Sequence, residues 1–207
     1  MVDFAGNPAG ATPIAPASLV VDDCGRFRAT DLEPPSLGFA AVTVDDAMGT
    51  TDRHRLTTIA ALEGAPDPET NRSLRAYVTR SATDVAWSTG AGLVGPTFAD
   101  RGVIVANFRY QGAGHAGVTI IRNGMASAPD DHYFSDVDAS RTTIDPGASA
   151  TGTNGTALFL GSSLVEHSGQ GGQPVGCQWP SSLAAATAGV VFFVPMDAET
   201  NTGLPCP

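Results

Sequence analysis

Residues 19–46, with the sequence LVVDDCGRFRATDLEPPSLGFAAVTVDD, constrain the fold more than any other stretch of the chain. Side chains alternate on both sides of a tight turn at Cys24-Gly25, a proline-rich loop follows at Pro34-Pro35, and an apolar run starts at Phe39. This order indicates strand, turn, strand, loop and strand. No grouping of side chains in the stretch is typical of catalysis, so it predicts a β-sheet scaffold and names no reaction.

Short segments of the same character recur along the whole chain. They are rich in Val, Ile, Thr or Phe and are bounded by Gly, Pro, Asn or Asp, which favours strands separated by turns. Gly and Pro contribute 24 and 15 of the 207 residues, a high share for a helical protein but an ordinary one for short strands. The predicted strands cover residues 26–29, 39–44, 55–62, 102–110, 117–122, 156–165 and 190–195.

Two short helices are predicted between these strands. Residues 81–90 are expected to start from a Ser or Thr cap, and residues 180–189 begin with Pro, are rich in Ala and end at Gly. Neither segment is long enough to indicate an α/β fold. The predicted fold class is therefore all-β, with one or two antiparallel β-sandwiches and one or two short helices in the connections.

The charge of the chain limits its partners. The net charge is −10 at pH 7, and all 11 basic residues are Arg. Such acidity repels phosphate backbones and no local Arg cluster offsets it, so nucleic acid is not expected as a partner. The hydrophobic content of 42% is ordinary, so a membrane span is not expected either. We interpret the acidity as a solubility feature and the lack of Lys as the coding bias of a bacterium with a GC-rich genome.

A faint internal repeat suggests how the chain is divided. The segment PAGATPI at residues 8–14 and the segment HAGVTII at residues 115–121 are identical at four of seven positions. Each precedes a Gly turn that enters a strand, at Cys24-Gly25 in the first half and at Asn154-Gly155 in the second. We predict a first sandwich over residues 1–65, a linker with a short helix over 66–100, and a second sandwich with a C-terminal helix and tail over 101–207.

The motifs of the first half resemble the carboxypeptidase regulatory-like family. The similarity rests on GNPAGAT at residues 6–12, DDCGRFR at residues 22–28, and LEPP at residues 32–35 before the strand at Phe39. The resemblance implies a small transthyretin-like (prealbumin-like) β-sandwich, a module that bacteria use in secreted and surface proteins, often in tandem. It also implies a non-catalytic accessory role.

The cysteines indicate an exported protein. Cys177 and Cys206 lie in the loop-rich C-terminal part, where a disulfide would tie down the tail, and Cys24 with Cys177 is the rival pairing. No spacing of Cys and His suits a structural zinc ion. We expect a mature portion of a protein that is extracellular or at the cell surface, although no signal peptide is visible after Met1.

The densest polar cluster offers a calcium hypothesis. Asp130, Asp131, Asp136 and Asp138 lie within nine residues, and Ca²⁺ takes six to eight oxygen ligands. The other interpretation is a solvated loop with Asx turns beside an edge strand, because the Gly and the bidentate Glu of the EF-hand pattern are missing. No other cofactor is predicted.

Evidence for catalysis in the sequence is weak. Ser163 and His167 are close in sequence, but Gly161-Ser162-Ser163 lacks the pattern of a nucleophile elbow. Trp87 and Trp179 could stack on sugars, or serve as packing anchors, which we favour. No catalytic residue is predicted and the chain is not expected to be an enzyme.

The expected function is therefore structural: a module that contacts a protein or a surface polymer. The open sheet edges of a sandwich allow strand addition and thus assembly into an oligomer or filament, with residues 1–14 as the candidate strand. A calcium-binding or glycan-binding accessory module is the alternative, and a hydrolase is the weakest hypothesis.

Overall fold

The computed structural model describes residues 2–3, 39–44, 54–63 and 77–207, the last range without Ser127, Val137, Ser162, Pro205 and Pro207. This part of the chain forms two short helices, α1 (Ser81–Gly90) and α2 (Phe98–Arg101). The remaining elements are strands, so the all-β prediction is confirmed. The strands are β1 (Val2–Asp3), β2 (Phe39–Val44), β3 (Leu56–Glu63), β4 (Val103–Tyr110), β5 (Ala113–Gly114), β6 (Thr119–Arg122), β7 (Met125–Ala126), β8 (Asp131–Phe134), β9 (Ile144–Asp145), β10 (Thr156–Leu160), β11 (Val165–Gln170), β12 (Cys177–Gln178), β13 (Ser182–Ala184), β14 (Val190–Asp197) and β15 (Glu199–Thr200).

A nine-stranded sheet forms the centre of the fold. Its order is β1-β2-β3-β14-β4-β10-β8-β9, and β5 pairs with β4. The pairs that β14 makes with β3 and β4 are parallel, whereas the other pairs of this sheet are antiparallel. Because β14 lies between β3 and β4, described strands from both predicted sandwiches belong to one sheet. The predicted domain boundaries of 1–65, 66–100 and 101–207 stay a prediction.

A smaller sheet packs on one face of the large one. It has four strands in the order β13-β11-β6-β7, and β12 and β15 form a separate two-stranded ribbon. Between the two sheets lies a buried apolar cluster to which both contribute, for example Phe108 and Phe159 from the large sheet and Ile120 from the small one. This packing of two sheets over one core is the sandwich-like arrangement that the sequence predicts.

The two helices cover the opposite face of the large sheet. Successive side chains of a strand point to opposite faces. Ile104 and Phe108 of β4 therefore face the small sheet, whereas Val103 and Val105 pack under the helices with Phe98. Because both faces are covered, the central strands are apolar at nearly every position.

Two hairpin turns have the positive φ angles that are typical of two-residue hairpin loops. Gln111-Gly112 joins β4 to β5 and Asn123-Gly124 joins β6 to β7, and all four residues have positive φ. Two-residue hairpin loops favour this geometry because it matches the twist of the strands. The turn at Asn154-Gly155 also enters a strand as predicted, since β10 begins at Thr156.

The predicted C-terminal helix over residues 180–189 is wrong. The segment is extended, and β13 (Ser182–Ala184) pairs with β11 along the edge of the small sheet. Ala184, Ala185 and Ala186 are all buried, and the Ala186 amide donates to the Gly161 carbonyl at 2.6 Å. Sheet pairing and burial outweigh the helix preference of Ala, which is worth less than about 1 kcal/mol per residue.

The predicted strand over residues 156–165 is two strands, which is a second correction. The chain leaves the large sheet after Leu160 and enters the small sheet at Val165. Gly161 marks the crossing, where an added Cβ would come within 2.6 Å of the Ile104 side chain. The helix over residues 81–90 is confirmed, but it begins after Arg80 with no side-chain cap. No helix in the described part of the chain is long and apolar enough to cross a membrane.

Candidate ligand pocket

A pocket of about 360 Å³ opens beside α1, on the helix-covered side of the large sheet. Its volume is in the range of small-molecule sites. Four parts of the chain form it: the segment before α1, the first two turns of α1, strands of the large sheet and a loop at 140–142. The lining residues are Tyr77, Val78, Thr79, Arg80, Thr83, Trp87, Val105, Asn107, Ser140, Arg141, Thr142, Thr156 and Phe193.

The floor of the pocket is a pair of buried polar side chains on adjacent strands. Asn107 of β4 and Thr156 of β10 are directly opposite each other in the register, and the Asn107 Nδ2 donates to the Thr156 Oγ1 at 2.8 Å. The preceding position on the same face of β4 is the apolar Val105. The helix-side face of the sheet thus changes from apolar to polar at the pocket.

Arg141 is fixed directly above this pair. Its Nε donates to the Thr156 Oγ1 at 2.7 Å and its Nη2 donates to the Asn154 carbonyl at 3.1 Å. The Trp87 indole donates to the Arg141 carbonyl at 2.5 Å. Arg141 also has a φ of 58°, a conformation that is uncommon for residues other than Gly, Asn and Asp.

The Asp138 carboxylate holds the loop that carries Arg141. It accepts the backbone amides of Ser140, Thr142 and Thr143 at 3.0, 2.6 and 2.6 Å. Burial alone would raise the pKa of Asp138, but these bonds and those from the Ser140 and Thr142 hydroxyls hold that pKa well below its usual range. The carboxylate is thus committed to its own loop, as in the Asx-turn interpretation of this segment.

Aromatic rings form one wall of the pocket. Tyr77 stacks on Phe193 with ring centroids 5.2 Å apart and an interplanar angle of 23°. The Tyr77 hydroxyl accepts from the Arg109 Nη1 at 3.3 Å, and Arg109 pairs with Asp197 through two hydrogen bonds of 2.8 and 2.6 Å. Burial opposes the charge of Arg109, yet the Asp197 carboxylate raises the pKa of this guanidinium. The wall is therefore held in place by an ion pair behind it.

The charges of the lining side chains have one sign. Arg80 and Arg141 are cationic, and none of the thirteen lining residues is Asp or Glu. This contrasts with the net charge of −10 for the whole chain. Hydroxyls of Thr83, Ser140 and Thr142 add polar groups around the two cations. The arrangement is suited to an anionic or hydroxyl-bearing ligand with an apolar face.

The four aspartates of the calcium hypothesis are engaged by three separate sets of protein groups. Asp130 and Asp131 pair with Arg122, and the Asp131 Oδ2 also accepts the Ala128 amide at 2.7 Å.

Asp136 accepts the Thr153 amide at 2.6 Å, and Asp138 holds the pocket loop. Within the described residues no group of three or more His, Cys, Asp or Glu side chains could hold a metal ion. The calcium hypothesis stays a prediction that the geometry does not favour.

The Ser163–His167 hypothesis gains no support from the geometry. His167 is 1 % exposed and stacks on Phe159 at 4.8 Å between the two sheets, and neither of its ring nitrogens has a hydrogen-bond partner in the described residues. Burial and the nearby Arg122 lower the pKa of His167 to about 4, against smaller opposing contributions from the backbone of residues 165 and 182. A general base must reach its nucleophile, and this ring does not.

Both tryptophans are packing anchors, as favoured from the sequence. Trp87 and Trp179 are almost fully buried, and each indole nitrogen donates to a backbone carbonyl. The predicted Cys177–Cys206 disulfide is also confirmed, with the two Cα atoms 6.1 Å apart. It links β12 to the C-terminal tail. Cys24 of the rival pairing lies outside the described residues.

Sequence reasoning did not find the pocket. Its polar core comes from residues 107, 141 and 156, which belong to no motif and are separated by 34 and 15 positions. Near these residues the sequence indicated only Asx turns around the aspartate cluster that ends at Asp138. An Asn inside an otherwise apolar strand prediction was the one available hint, because buried strands rarely hold an amide without a partner.

The fold and the pocket define an all-β, sandwich-like protein with a partly polar pocket beside α1. Comparisons of the chain with protein-family models, curated proteins and solved structures find no match. The resemblance to the carboxypeptidase regulatory-like family therefore stays a prediction, and the function has to be argued from the site.

Proposed function

We propose that the chain is a non-catalytic interaction module of an exported bacterial protein, and that it holds a surface polymer in the pocket beside α1. The observation that carries the proposal is the buried network of Asn107, Thr156 and Arg141 at the pocket floor. Hydrogen-bonding groups fixed beside an aromatic wall orient a ligand and do not require a catalytic reaction. The Cys177–Cys206 disulfide supports an oxidising location outside the cytosol.

A glycan array with a pocket-blocking variant tests this proposal. Thr83→Trp places a large ring at the rim of the pocket, whereas Val85→Trp places the same ring on an exposed position of the same helix outside the lining. We expect the wild type and Val85→Trp to bind the same immobilised polysaccharides and Thr83→Trp to lose them. A blank array for the wild type, or hits that Thr83→Trp retains, would refute pocket binding.

Self-assembly through sheet edges is the second candidate. The four-stranded sheet ends at β13 and β7, and each edge strand has an exposed apolar side chain, Leu183 at 52 % and Met125 at 71 %. Exposed edges of this kind favour pairing with another chain. Of the predicted donor strand at residues 1–14, the described part is β1, an edge strand of the large sheet.

Sedimentation at high protein concentration tests the assembly. We expect a concentration-dependent oligomer that Leu183→Arg dissociates. Val175→Arg, at an exposed position away from that edge strand, is the matched control and is expected to leave the oligomer intact. A stable monomer at millimolar concentration argues against assembly and leaves the pocket proposal untouched.

A further inference from the structure

We propose that the pocket recognises a carboxylate-bearing sugar unit, such as a uronic acid residue of an acidic polysaccharide. This inference rests on the proposed binding function and adds the chemical class of the ligand. Three features of the pocket carry it: the charge of the lining, the groups left over after the internal hydrogen bonds are counted, and the aromatic wall.

The charge of the lining selects an anion. Arg80 is exposed at the mouth and forms no ion pair with a described residue, while Arg141 lies deeper, above the floor. A carboxylate entering such a site meets two cations and no competing acid from the lining. Guanidinium groups bind carboxylates with short, charge-assisted hydrogen bonds.

Arg141 is preorganised to present free donors. Its Nε and Nη2 are engaged with Thr156 and Asn154, and its Nη1 makes no hydrogen bond in the described part of the chain. The guanidinium therefore cannot swing away, yet its outer edge still has N–H groups to donate. A group that is already ordered loses little entropy when a ligand binds to it.

The floor and the wall select a hydroxylated ring. Asn107 is only 7 % exposed, its Nδ2 is used by Thr156, and its Oδ1 has no hydrogen-bond partner among the described residues. That oxygen can accept only from a donor such as a sugar hydroxyl. The stacked Tyr77 and Phe193 rings next to it offer an apolar face for the C–H groups of a sugar ring.

A pair of matched saccharides tests the inference by isothermal titration with the full chain. The probes are a trimer of uronic acid and the same trimer after chemical reduction of its carboxyl groups to neutral hydroxymethyl groups. We expect the acidic trimer to bind at least about tenfold more tightly, because hydrogen bonds to a charged carboxylate are stronger than those to a neutral hydroxyl. We also expect added salt to weaken the acidic trimer alone.

Three arginine variants locate the effect. Arg80→Gln is expected to weaken the acidic trimer several-fold with no change in thermal stability, since Arg80 is exposed. Arg141→Gln is expected to abolish the preference for the acidic trimer. Arg101→Gln removes an exposed Arg on α2 outside the pocket and is expected to leave both affinities unchanged.

The outcomes separate this inference from the proposed function. Equal affinity for both trimers, or an acidic preference that survives both Arg80→Gln and Arg141→Gln, overturns the charged-ligand inference. Array hits confined to neutral glycans and lost in Thr83→Trp would overturn it too, while the proposed pocket function would stand. A blank array refutes the proposed function and the inference with it.

Discussion

His167 is expected to make the free energy of unfolding fall as the pH is lowered from about 6.5 towards 4. The ring lies between the two sheets, against Phe159, and has Arg122 as its charged neighbour. Arg122 in turn pairs with the carboxylates of Asp130, just before β8, and Asp131, the first residue of β8. Protonation of His167 would place a second positive charge in this buried position, so the folded state resists it.

The sign and the size of the effect follow from proton linkage. The pKa of His167 is about 4 in the folded chain, against 6.5 for an unperturbed His. The unfolded chain therefore takes up the proton first, so this stability is fully present above about pH 6.5 and is lost as the pH falls towards 4. The full difference corresponds to about 3 kcal/mol, and about 2 kcal/mol of it is already lost at pH 5.

Urea unfolding between pH 8 and pH 4.5 measures this loss through tryptophan fluorescence, because both Trp residues are buried. His167→Phe keeps a flat ring against Phe159 and is expected to remove most of the pH slope, whereas the control His115→Gln is expected to retain it. Burial also lowers the pKa of His132, so a smaller slope remains in every variant. An unchanged slope in His167→Phe would refute the assignment.

Three further predictions concern how the fold is held together, and urea unfolding at pH 7 tests each of them. Cys206→Ala opens a disulfide that spans 29 positions and is expected to lower the free energy of unfolding by about 3 kcal/mol, with no further loss under reduction. Arg55→Ala leaves the fully buried Asp84 carboxylate with no cation and is expected to lower it by about 3 kcal/mol; a loss below about 1 kcal/mol would contradict a buried ion pair. Gly155→Ala places a Cβ 2.2 Å from a carbonyl oxygen and is expected to prevent stable folding, whereas Gly124→Ala, also at positive φ but in open space, should lower stability by about 1 kcal/mol. If Gly155→Ala and Gly124→Ala lowered stability equally, the positive φ and not the close contact would decide the loss.

The strands were predictable where local pattern and tertiary packing agree. The six residues of β2 were predicted with both ends correct, and β4 and β14 with small errors at their ends. Where a prediction was wrong, the local sequence favoured one structure and the tertiary packing imposed another. Residues 180–189 have the composition of a helix, but residues 182–184 pair with the edge of β11, and Ala184, Ala185 and Ala186 are buried. Sequence periodicity contains no information about which strand pairs with which, so the insertion of β14 between β3 and β4 was not foreseeable.

The pocket was unpredictable for a related reason. The residues that form it are distant in sequence, and each has an ordinary local role: Asn107 in a strand, Thr156 after a turn, Arg141 in a loop. The positive φ of Arg141 could not be anticipated, because a sequence-based expectation would assign that conformation to Gly or Asn. The disulfide, by contrast, depended on one pair of loop cysteines and was predicted correctly.

The hydrogen bonds at the pocket floor distinguish a binding site from a structural network. A structural network of buried polar groups is expected to satisfy every member, since each group left over lowers stability. The Thr156 hydroxyl meets that standard: it accepts from Asn107 and Arg141 and donates to the Asn154 carbonyl. The Asn107 oxygen and the outer edge of the Arg141 guanidinium do not, although they face the same pocket. Two unused polar groups therefore meet in a pocket that a ligand could enter, and one of them belongs to a residue held in an uncommon backbone conformation. A fold that required only a loop anchored to its sheet would need neither group.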